Sequence, residues 1–271
     1  MDEGVFKPIL VTMQVQTPII PPILDEDRAQ FYYEMGWISK EERDHLDRAF
    51  YRDGEGNPII TEHQLRSCIN KAIKRYVDLM HEKSYYDQIR FLQRELLRRP
   101  EDKDSIIREI RRVHKEMMQD VGKDIKELRK AIDFNVIDFV PFGKDKLVGW
   151  RIGYIYIPIV LKTRSSITTE DEVKTTEYTE YIPPGVKLVF WVETRDPLKF
   201  ASILNLAGMD VGFGAGTASR KFGRFKVHIE QREPKPIKEI LAEMYPNIYG
   251  KACTDSGKRE KGNSKTSGGR G

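Results

Sequence analysis

The chain has 271 residues, which is enough for one large domain or two smaller ones. Apolar residues make up 39% and charged residues 32%, a composition that excludes a largely disordered or membrane-embedded protein. The formal net charge is only +4, so any affinity for nucleic acid must come from local clusters of Lys and Arg. The first residues lack the basic and apolar pattern of a signal peptide, and no apolar run is long enough to span a bilayer, so we expect a cytoplasmic protein.

The N-terminal half is predicted to be a strand followed by helices. Residues 6–17 alternate between apolar and polar side chains, which is the pattern of a half-buried strand. Ser39 with Glu42, and Thr61 with Gln64, form capping boxes that mark the starts of two helices. The second of these helices carries Lys and Arg on its polar side, for which a solvated face is the simplest interpretation.

Residues 84–133 are predicted to form an inserted helical hairpin. They are highly charged, with a break near Pro100 between two helices, and their mixed-sign faces suit exposure to solvent. Such a hairpin also offers a surface for self-association or for a protein partner. Its second helix has one apolar stripe, made of Ile106, Ile110, Val113, Met117, Val121, Ile125 and Leu128.

The chain changes to β character after Phe134. Residues 151–164 are rich in Ile, Val and Tyr and predict a strand, in which Pro158 indicates a bulge or an edge position. Residues 173–182 and 186–192 predict two further strands, separated by a Pro-Pro-Gly turn.

A helix beginning at Pro197, a strand over residues 223–229 and a short helix over residues 236–245 complete the predicted elements. The order strand, helices, strand, strand, helix, strand predicts an α+β fold with the βαββαβ core of a ferredoxin-like, or RRM-like, domain. The helical hairpin and an extra β-ribbon would be additions to this core. We expect one such domain over residues 1–249 and a disordered basic tail over residues 250–271.

Residues 208–229 contain a glycine-rich segment between the predicted helix and the last strand. Glycine serves where the backbone takes a positive φ or approaches a ligand closely, and successive free amides can bind an anion. Basic side chains and the rings of Phe213 and Phe225 would supply charge for phosphates and stacking for bases, with Tyr154 and Tyr156 as further candidates for stacking or for the core. A tight helix-to-strand connection with incidental surface charges is the structural alternative. The predicted nucleic-acid-binding residues are Gly212, Gly214, Gly216, Arg220, Lys221, Phe222, Gly223, Arg224 and Lys226.

Enzymatic motifs are absent from the sequence. The glycine segment follows a helix and precedes a strand, whereas a dinucleotide-binding fingerprint needs the order strand, glycine loop, helix, and there is no Walker A motif. The five histidines are scattered and the two cysteines are Cys68 and Cys253, so neither a cofactor nor a metal site is predicted. No catalytic residue is assigned. The catalytic alternative is a metal-independent endoribonuclease with His45 or His63 as general base.

Three stretches resemble the repeat-associated mysterious proteins (RAMPs) of CRISPR systems. They are the strand Y-I-P-P-G-V-K-L-V-F-W-V-E, the segment V-G-F-G-A-G-T-A-S-R-K-F-G-R-F-K-V, and the helix start in Y-R-D-G-E-G-N-P-I-I-T-E-H-Q-L-R-S-C-I-N-K-A. A group of uncharacterised phage and prophage proteins shares this layout and is more similar. The resemblance implies an RRM-like fold that binds RNA or single-stranded DNA, with the glycine loop against the nucleic-acid backbone. It maps the loop glycines onto Gly212, Gly214, Gly216 and Gly223 and the loop arginine onto Arg224, and it departs at Lys221, which replaces a glycine.

Together these features favour a non-catalytic, RAMP-like protein that binds single-stranded RNA or DNA. Two alternatives from other classes stay open. One is the metal-independent endoribonuclease, and the other is a structural or assembly protein that acts through the hairpin of residues 84–133.

Overall fold

The computed structural model describes residues 7–143, 146–168, 174–214 and 222–249, which form a mixed α+β fold. The strands are β1 (Lys7–Val15), β2 (Leu46–Arg48), β3 (Tyr51–Arg52), β4 (Pro58–Thr61), β5 (Phe134–Phe142), β6 (Lys146–Arg151), β7 (Tyr154–Tyr156), β8 (Leu161–Thr168), β9 (Lys174–Tyr181), β10 (Lys187–Thr194) and β11 (Phe225–Glu230). The helices are α1 (Glu26–Glu34), α2 (Lys40–His45), α3 (Glu62–Arg98), α4 (Lys103–Ala131), α5 (Pro197–Leu206), α6 (Ile237–Met244) and α7 (Pro246–Tyr249).

The main sheet has the strand order β11-β1-β10-β5-β6, and all of its described neighbours are antiparallel. Strand β1 is an interior strand next to the edge strand β11, because it pairs with β10 on one side and with β11 on the other. One face packs on α3 and α5, and the other face packs on α6. The first of these interfaces includes Val11, Met13, Phe190, Val192, Leu65, Ile69, Phe200 and Leu204.

Helix starts follow the predicted capping chemistry. Both side-chain-to-backbone bonds of the capping box are present at Ser39 and at Thr61, and the Asp196 carboxylate caps α5 with Pro197 in the first turn. These predictions are confirmed. They could be made from the sequence because a cap depends only on residues within one helical turn.

Helix α3 runs without interruption from Glu62 to Arg98. Residues 84–98, expected to belong to a separate hairpin, therefore continue the helix whose first turns lie in the core. A short 3-10 turn (Pro100–Asp102) leads into α4, whose predicted apolar stripe is confirmed: its residues are buried or half-buried, and part of the stripe packs on the main core. No helix in the described part of the chain is both long and apolar enough to cross a membrane. The predicted tail of residues 250–271 lies outside the described residues.

The prediction of one strand over residues 151–164 is wrong. Strand β6 ends at Arg151, Gly153 takes a φ of +73°, and β7 covers only three residues before Pro158. These breaks send β7 to pair with β4 and β8 to pair with β9 in smaller sheets. Strand β10 pairs with β1 on one side and with β5 on the other, and for β5 the sequence showed only a change to β character.

The buried carboxylate of Glu62 joins the start of α3 to the main sheet. It accepts hydrogen bonds from the Val136 amide at 3.0 Å, from Arg66 Nε at 2.9 Å and from Arg151 Nη2 at 2.8 Å. Burial raises the pKa of Glu62, but the Val136 amide and the Arg66 guanidinium outweigh that effect and hold the pKa below its usual 4.5. The first turns of α3 are thereby fixed relative to β5 and β6.

Replacing Glu62 by Gln tests this anchor. At neutral pH we expect the free energy of unfolding to fall by about 1.5–3 kcal/mol, because charged hydrogen bonds are lost around a buried amide. Because the pKa of Glu62 is lower in the folded state than in the unfolded state, its carboxylate stabilises the folded protein fully above about pH 4.5. This stabilisation is lost as the pH falls through the pKa of the folded state. Urea unfolding of the wild type and of Glu62→Gln should show that the difference between their free energies of unfolding becomes smaller as the pH falls from neutral to acidic. A difference that stays constant with pH would contradict the anchor.

Candidate nucleic-acid interface

The base of the glycine loop is held by backbone hydrogen bonds. Helix α5 continues into a π-helical turn (Ala207–Val211) and then into Gly212. The Phe213 amide donates to the Gly223 carbonyl at 2.8 Å, and the Gly223 amide donates to the Pro18 carbonyl at 2.8 Å. Both ends of the loop are therefore bonded to each other and to the segment that follows β1.

Two positions in this base require glycine. Gly223 has a φ of +74°, and a Cβ there would overlap the carbonyl of Phe213. Gly214 has a φ of +91°, and a Cβ there would overlap the carbonyl of Ile20. Any other residue would push apart backbones that touch, so these glycines serve the close approach of chain segments.

Three backbone amides at the base of this loop already donate hydrogen bonds within the protein. The Gly212 amide donates to the Ala207 carbonyl at 2.7 Å, and the amides of Phe213 and Gly223 are bonded as above. An amide that already donates within the protein is not available to an anion. These three amides therefore do not contribute to anion binding.

Most of the aromatic candidates are core residues. Phe213 and Phe225 are buried between the sheet and the helices, so they are not surfaces for base stacking. Tyr156 is buried too, and its hydroxyl lies 3.1 Å from that of Tyr154. Burial and this hydrogen bond raise the pKa of Tyr156 above its usual value. Among the predicted loop rings, the half-buried Phe222 alone is within the described residues and accessible.

A cleft of about 300 Å³ lies between the loop base and the first turns of α3. His63, Ser67 and Lys71 form its helical wall, spaced four residues apart so that they lie on one face of α3. All three side chains are exposed. The remaining lining residues are Pro22, Gln64, Cys68, Gly212, Phe213 and Gly214.

Cys68 connects the two walls of the cleft. Its buried thiol donates to the Gly212 carbonyl, with a Sγ–O distance of 3.2 Å. Burial raises the pKa of Cys68 to about 12, although the positive charges of Lys71 and Arg224 act in the opposite direction. The thiol therefore stays protonated as a structural donor. Lys71 lines the cleft, whereas Arg224 is not among its lining residues.

Arg224 is fixed at its backbone and has an unused donor. Its amide donates to Thr17 Oγ1 at 2.9 Å, and its carbonyl accepts from the Gln16 amide at 2.7 Å. Its Nη1 atom is buried and has no hydrogen-bond partner among the described residues. A guanidinium group can bind a phosphate oxygen, but this nitrogen is buried and is not exposed to a ligand at the surface.

The structure divides the predicted site between two faces of the sheet. Gly212 and Gly214 line the cleft beside α3, and Gly223 closes the loop base behind it. Lys226 instead lies on the face that packs on α6, in a separate cleft of about 450 Å³, where it is opposite Gln14 of β1. Three predicted residues, Gly216, Arg220 and Lys221, lie outside the described residues.

The two candidate general bases are in different places. His63 lines the cleft, whereas His45 is the exposed last residue of α2 and is not part of the cleft wall. Within the described ranges, no group of three His, Cys, Asp or Glu side chains could hold a metal ion.

The stripe of His63, Ser67 and Lys71 was not predicted as part of the site. Their spacing of four residues was visible in the sequence, but it shows only that they share a helix face. What lies opposite that face depends on contacts with residues about 150 positions later in the chain, which no local pattern predicts.

The requirement for glycine at the loop base can be measured with two alanine substitutions. Gly185 has a φ of +90° and open space around its Cβ position, so Gly185→Ala should cost about 1–2 kcal/mol from backbone strain alone. Gly223→Ala adds overlap with the Phe213 carbonyl, and we expect a loss of about 2–5 kcal/mol in the free energy of unfolding. Equal losses for the two variants in urea unfolding would show that the close approach does not matter.

Comparison with known proteins gives distant structural similarity. No family profile matches the sequence, and no curated protein matches it. The structure is similar to a chain in the cryo-EM structure of the type III-B Cmr-β bound to cognate target RNA, with 9% identity and a TM-score of 0.43 over 83% of this chain and 60% of that chain. It is also similar to Cmr6 from Pyrococcus furiosus, with 16% identity and a TM-score of 0.33 over 82% of this chain and 99% of that chain. The chain thus spans less than two thirds of the first of these proteins.

Proposed function

We propose that this protein binds single-stranded nucleic acid, RNA in particular, in the cleft between the loop base and α3, as a non-catalytic RAMP-like protein. In this proposal Lys71 and Arg224 contact phosphate oxygens, and Ser67 and His63 donate further hydrogen bonds. The sequence also assigns nucleic-acid contacts to the basic residues Arg220 and Lys221, which lie outside the described residues.

The strand order supports a ferredoxin-like core for this protein. Strands β1, β5, β10 and β11 follow one another along the chain with helices between β1 and β5 and between β10 and β11. In the sheet their order is β11-β1-β10-β5, the fourth, first, third and second of the set. A βαββαβ unit with antiparallel neighbours in that order is a ferredoxin-like arrangement. In this assignment β6 and the smaller sheets are additions to the core.

The observation that carries the proposal is the chemistry of the cleft wall. Its described lining has a lysine, a histidine, a serine and a glutamine, and none of the lining residues is acidic. In the cleft on the opposite face, by contrast, Glu243 lies 3.0 Å from Lys235 and 3.8 Å from Arg232. Cations without nearby carboxylates attract a polyanion, and each phosphate contact releases counterions. The cleft beside α3 therefore fits a nucleic-acid backbone better.

Binding can be measured with labelled single-stranded RNA and DNA over a range of salt concentrations. We expect the wild type to bind, and Lys71→Ala to lower the slope of log K against log salt by about 0.7, the value for one lost phosphate contact on a single strand. The triple variant Arg220→Ala, Lys221→Ala, Arg224→Ala should lower this slope by more than Lys71→Ala does. Lys74→Ala is the matched control, because Lys74 is exposed on the same helix but does not line the cleft.

The outcomes of this titration are distinct. Absence of binding at low salt would refute the proposal. If Lys71→Ala and Lys74→Ala weaken nucleic-acid binding equally, the nucleic acid is attracted non-specifically to the helix surface. This result would contradict a binding site in the cleft.

The position of His63 favours a second candidate, a metal-independent endoribonuclease. In that reaction a general base takes the proton of the ribose 2′-hydroxyl, and the 2′-oxygen attacks the adjacent phosphorus. The bond from phosphorus to the 5′-oxygen breaks, the 5′-oxygen leaves with a proton from water, and a 2′,3′-cyclic phosphate remains. We expect RNA cleavage in the presence of EDTA to be lost in His63→Ala and kept in His45→Ala, and an oligonucleotide with 2′-deoxyribose at the cut site to stay intact. No product from the wild type would remove this candidate and leave the binding proposal standing.

A further inference from the structure

Strands β5 and β6 extend beyond the rest of the main sheet as a two-stranded arm. Pairing between β10 and β5 covers only residues 134–137 of β5. Pairing between β5 and β6 continues to Phe142 and Lys146. Residues 138–142 and 146–150 are therefore bonded to each other and not to β10, and they are called the arm below.

One face of the arm carries four exposed apolar side chains, Val140, Phe142, Val148 and Trp150, beside Asp138 and Lys146. Val140 is paired with Val148, Asp138 with Trp150, and Phe142 with Lys146, and paired residues share a face. The exposed fractions of Phe142 and Trp150 are 70% and 65%, far above those of core residues. Contiguous apolar side chains that stay exposed in a soluble protein commonly mark an interaction surface.

The outer edge of β6 also lacks protection. Edge strands usually carry charges, Pro or a bulge that prevents pairing with another chain. At the opposite edge of the main sheet, β11 has Lys226, His228 and Glu230 at alternate positions. In β6 the charged residues are only the two ends, and Leu-Val-Gly-Trp lies between them. No described strand pairs with this edge.

We propose that two copies of this chain associate through their β6 edges, antiparallel and around a two-fold axis at Val148. In this register Val148 is opposite Val148 of the second copy, and Lys146 is opposite Trp150 of the second copy. The two main sheets then form one continuous sheet, and the apolar faces of both arms become one surface with Val140 and Val148 at its centre.

This register is complementary in charge as well as in shape. The Lys146 ammonium lies over the Trp150 ring of the second copy, which is a favourable cation–π contact. Asp138 is the cross-strand neighbour of Trp150 within each arm, and its carboxylate already accepts hydrogen bonds from the Phe139 and Ile237 amides. An axis placed between Val148 and Gly149 would instead set Lys146 opposite Arg151, with like charges facing each other. A second copy is therefore a matching occupant of this edge.

The oligomeric state of the full-length protein without nucleic acid tests the proposal. We expect sedimentation velocity to show a concentration-dependent species of twice the chain mass of 31.6 kDa. Val148→Asp and Val148→Lys should each be monomeric, because the two-fold axis brings identical charges together. An equal mixture of the two variants should recover the dimer, since Asp then faces Lys. Val148→Thr keeps the shape and β-branching and should remain dimeric, and circular dichroism checks that every variant is folded.

Several results would overturn this proposal. A wild type that stays monomeric at every concentration excludes the dimer, and a dimer unaffected by Val148→Lys places the interface elsewhere. If the equal mixture of Val148→Asp and Val148→Lys stays monomeric, the two-fold axis is not at Val148. If Trp150→Ala weakens RNA binding while the oligomeric state is unchanged, the arm stacks on bases instead. None of the sedimentation results depends on whether the cleft binds RNA.

Discussion

The close approach of backbone segments at the loop base is the constraint on which the candidate site depends. The Gly223 amide reaches the Pro18 carbonyl, the Phe213 amide reaches the Gly223 carbonyl, and neither contact leaves room for a Cβ at Gly223. Because Pro18 directly follows the turn after β1, the loop is fixed to an interior strand of the main sheet. On the other side, the hydrogen bond from Cys68 fixes it to α3. The cleft is thus formed by parts that cannot move independently.

This constraint changes the role of the glycines. A glycine-rich loop with free amides would bind an anion through its backbone. Here the amides of Gly212, Phe213 and Gly223 are bonded within the protein, so these positions shape the cleft, and the side chains of α3 supply the polar groups of its wall. Side chains from a helix that is anchored by Glu62 are held more rigidly than those of a free loop. Positioning by packed secondary structure suits contacts that must be placed accurately.

The sequence predicted what depends on neighbouring residues and missed what depends on distant ones. The capping boxes at Ser39 and Thr61, the helix start at Pro197 and the alternation in β11 were all predictable, because each is set within a few residues. The pairing of β5 with β10 was not predicted, because it joins segments about 55 residues apart. The stacking role expected for Phe213 failed for the same reason: an aromatic side chain gives no local indication of whether it faces solvent or a core.

The strand order also relates the two proposals to each other. The strand that follows the glycine loop, β11, and the arm strand, β6, are at opposite edges of the main sheet, with β1, β10 and β5 between them. Four spacings of about 4.8 Å place these edges roughly 19 Å apart, so pairing at β6 leaves the cleft of each copy open. A two-fold dimer would then carry two clefts at its outer ends. Once one cleft holds a nucleic-acid strand, binding of the same strand in the other is intramolecular, and the effective concentration rises without any new contact. Weak individual clefts could therefore give tight binding to a long strand and weak binding to a short one.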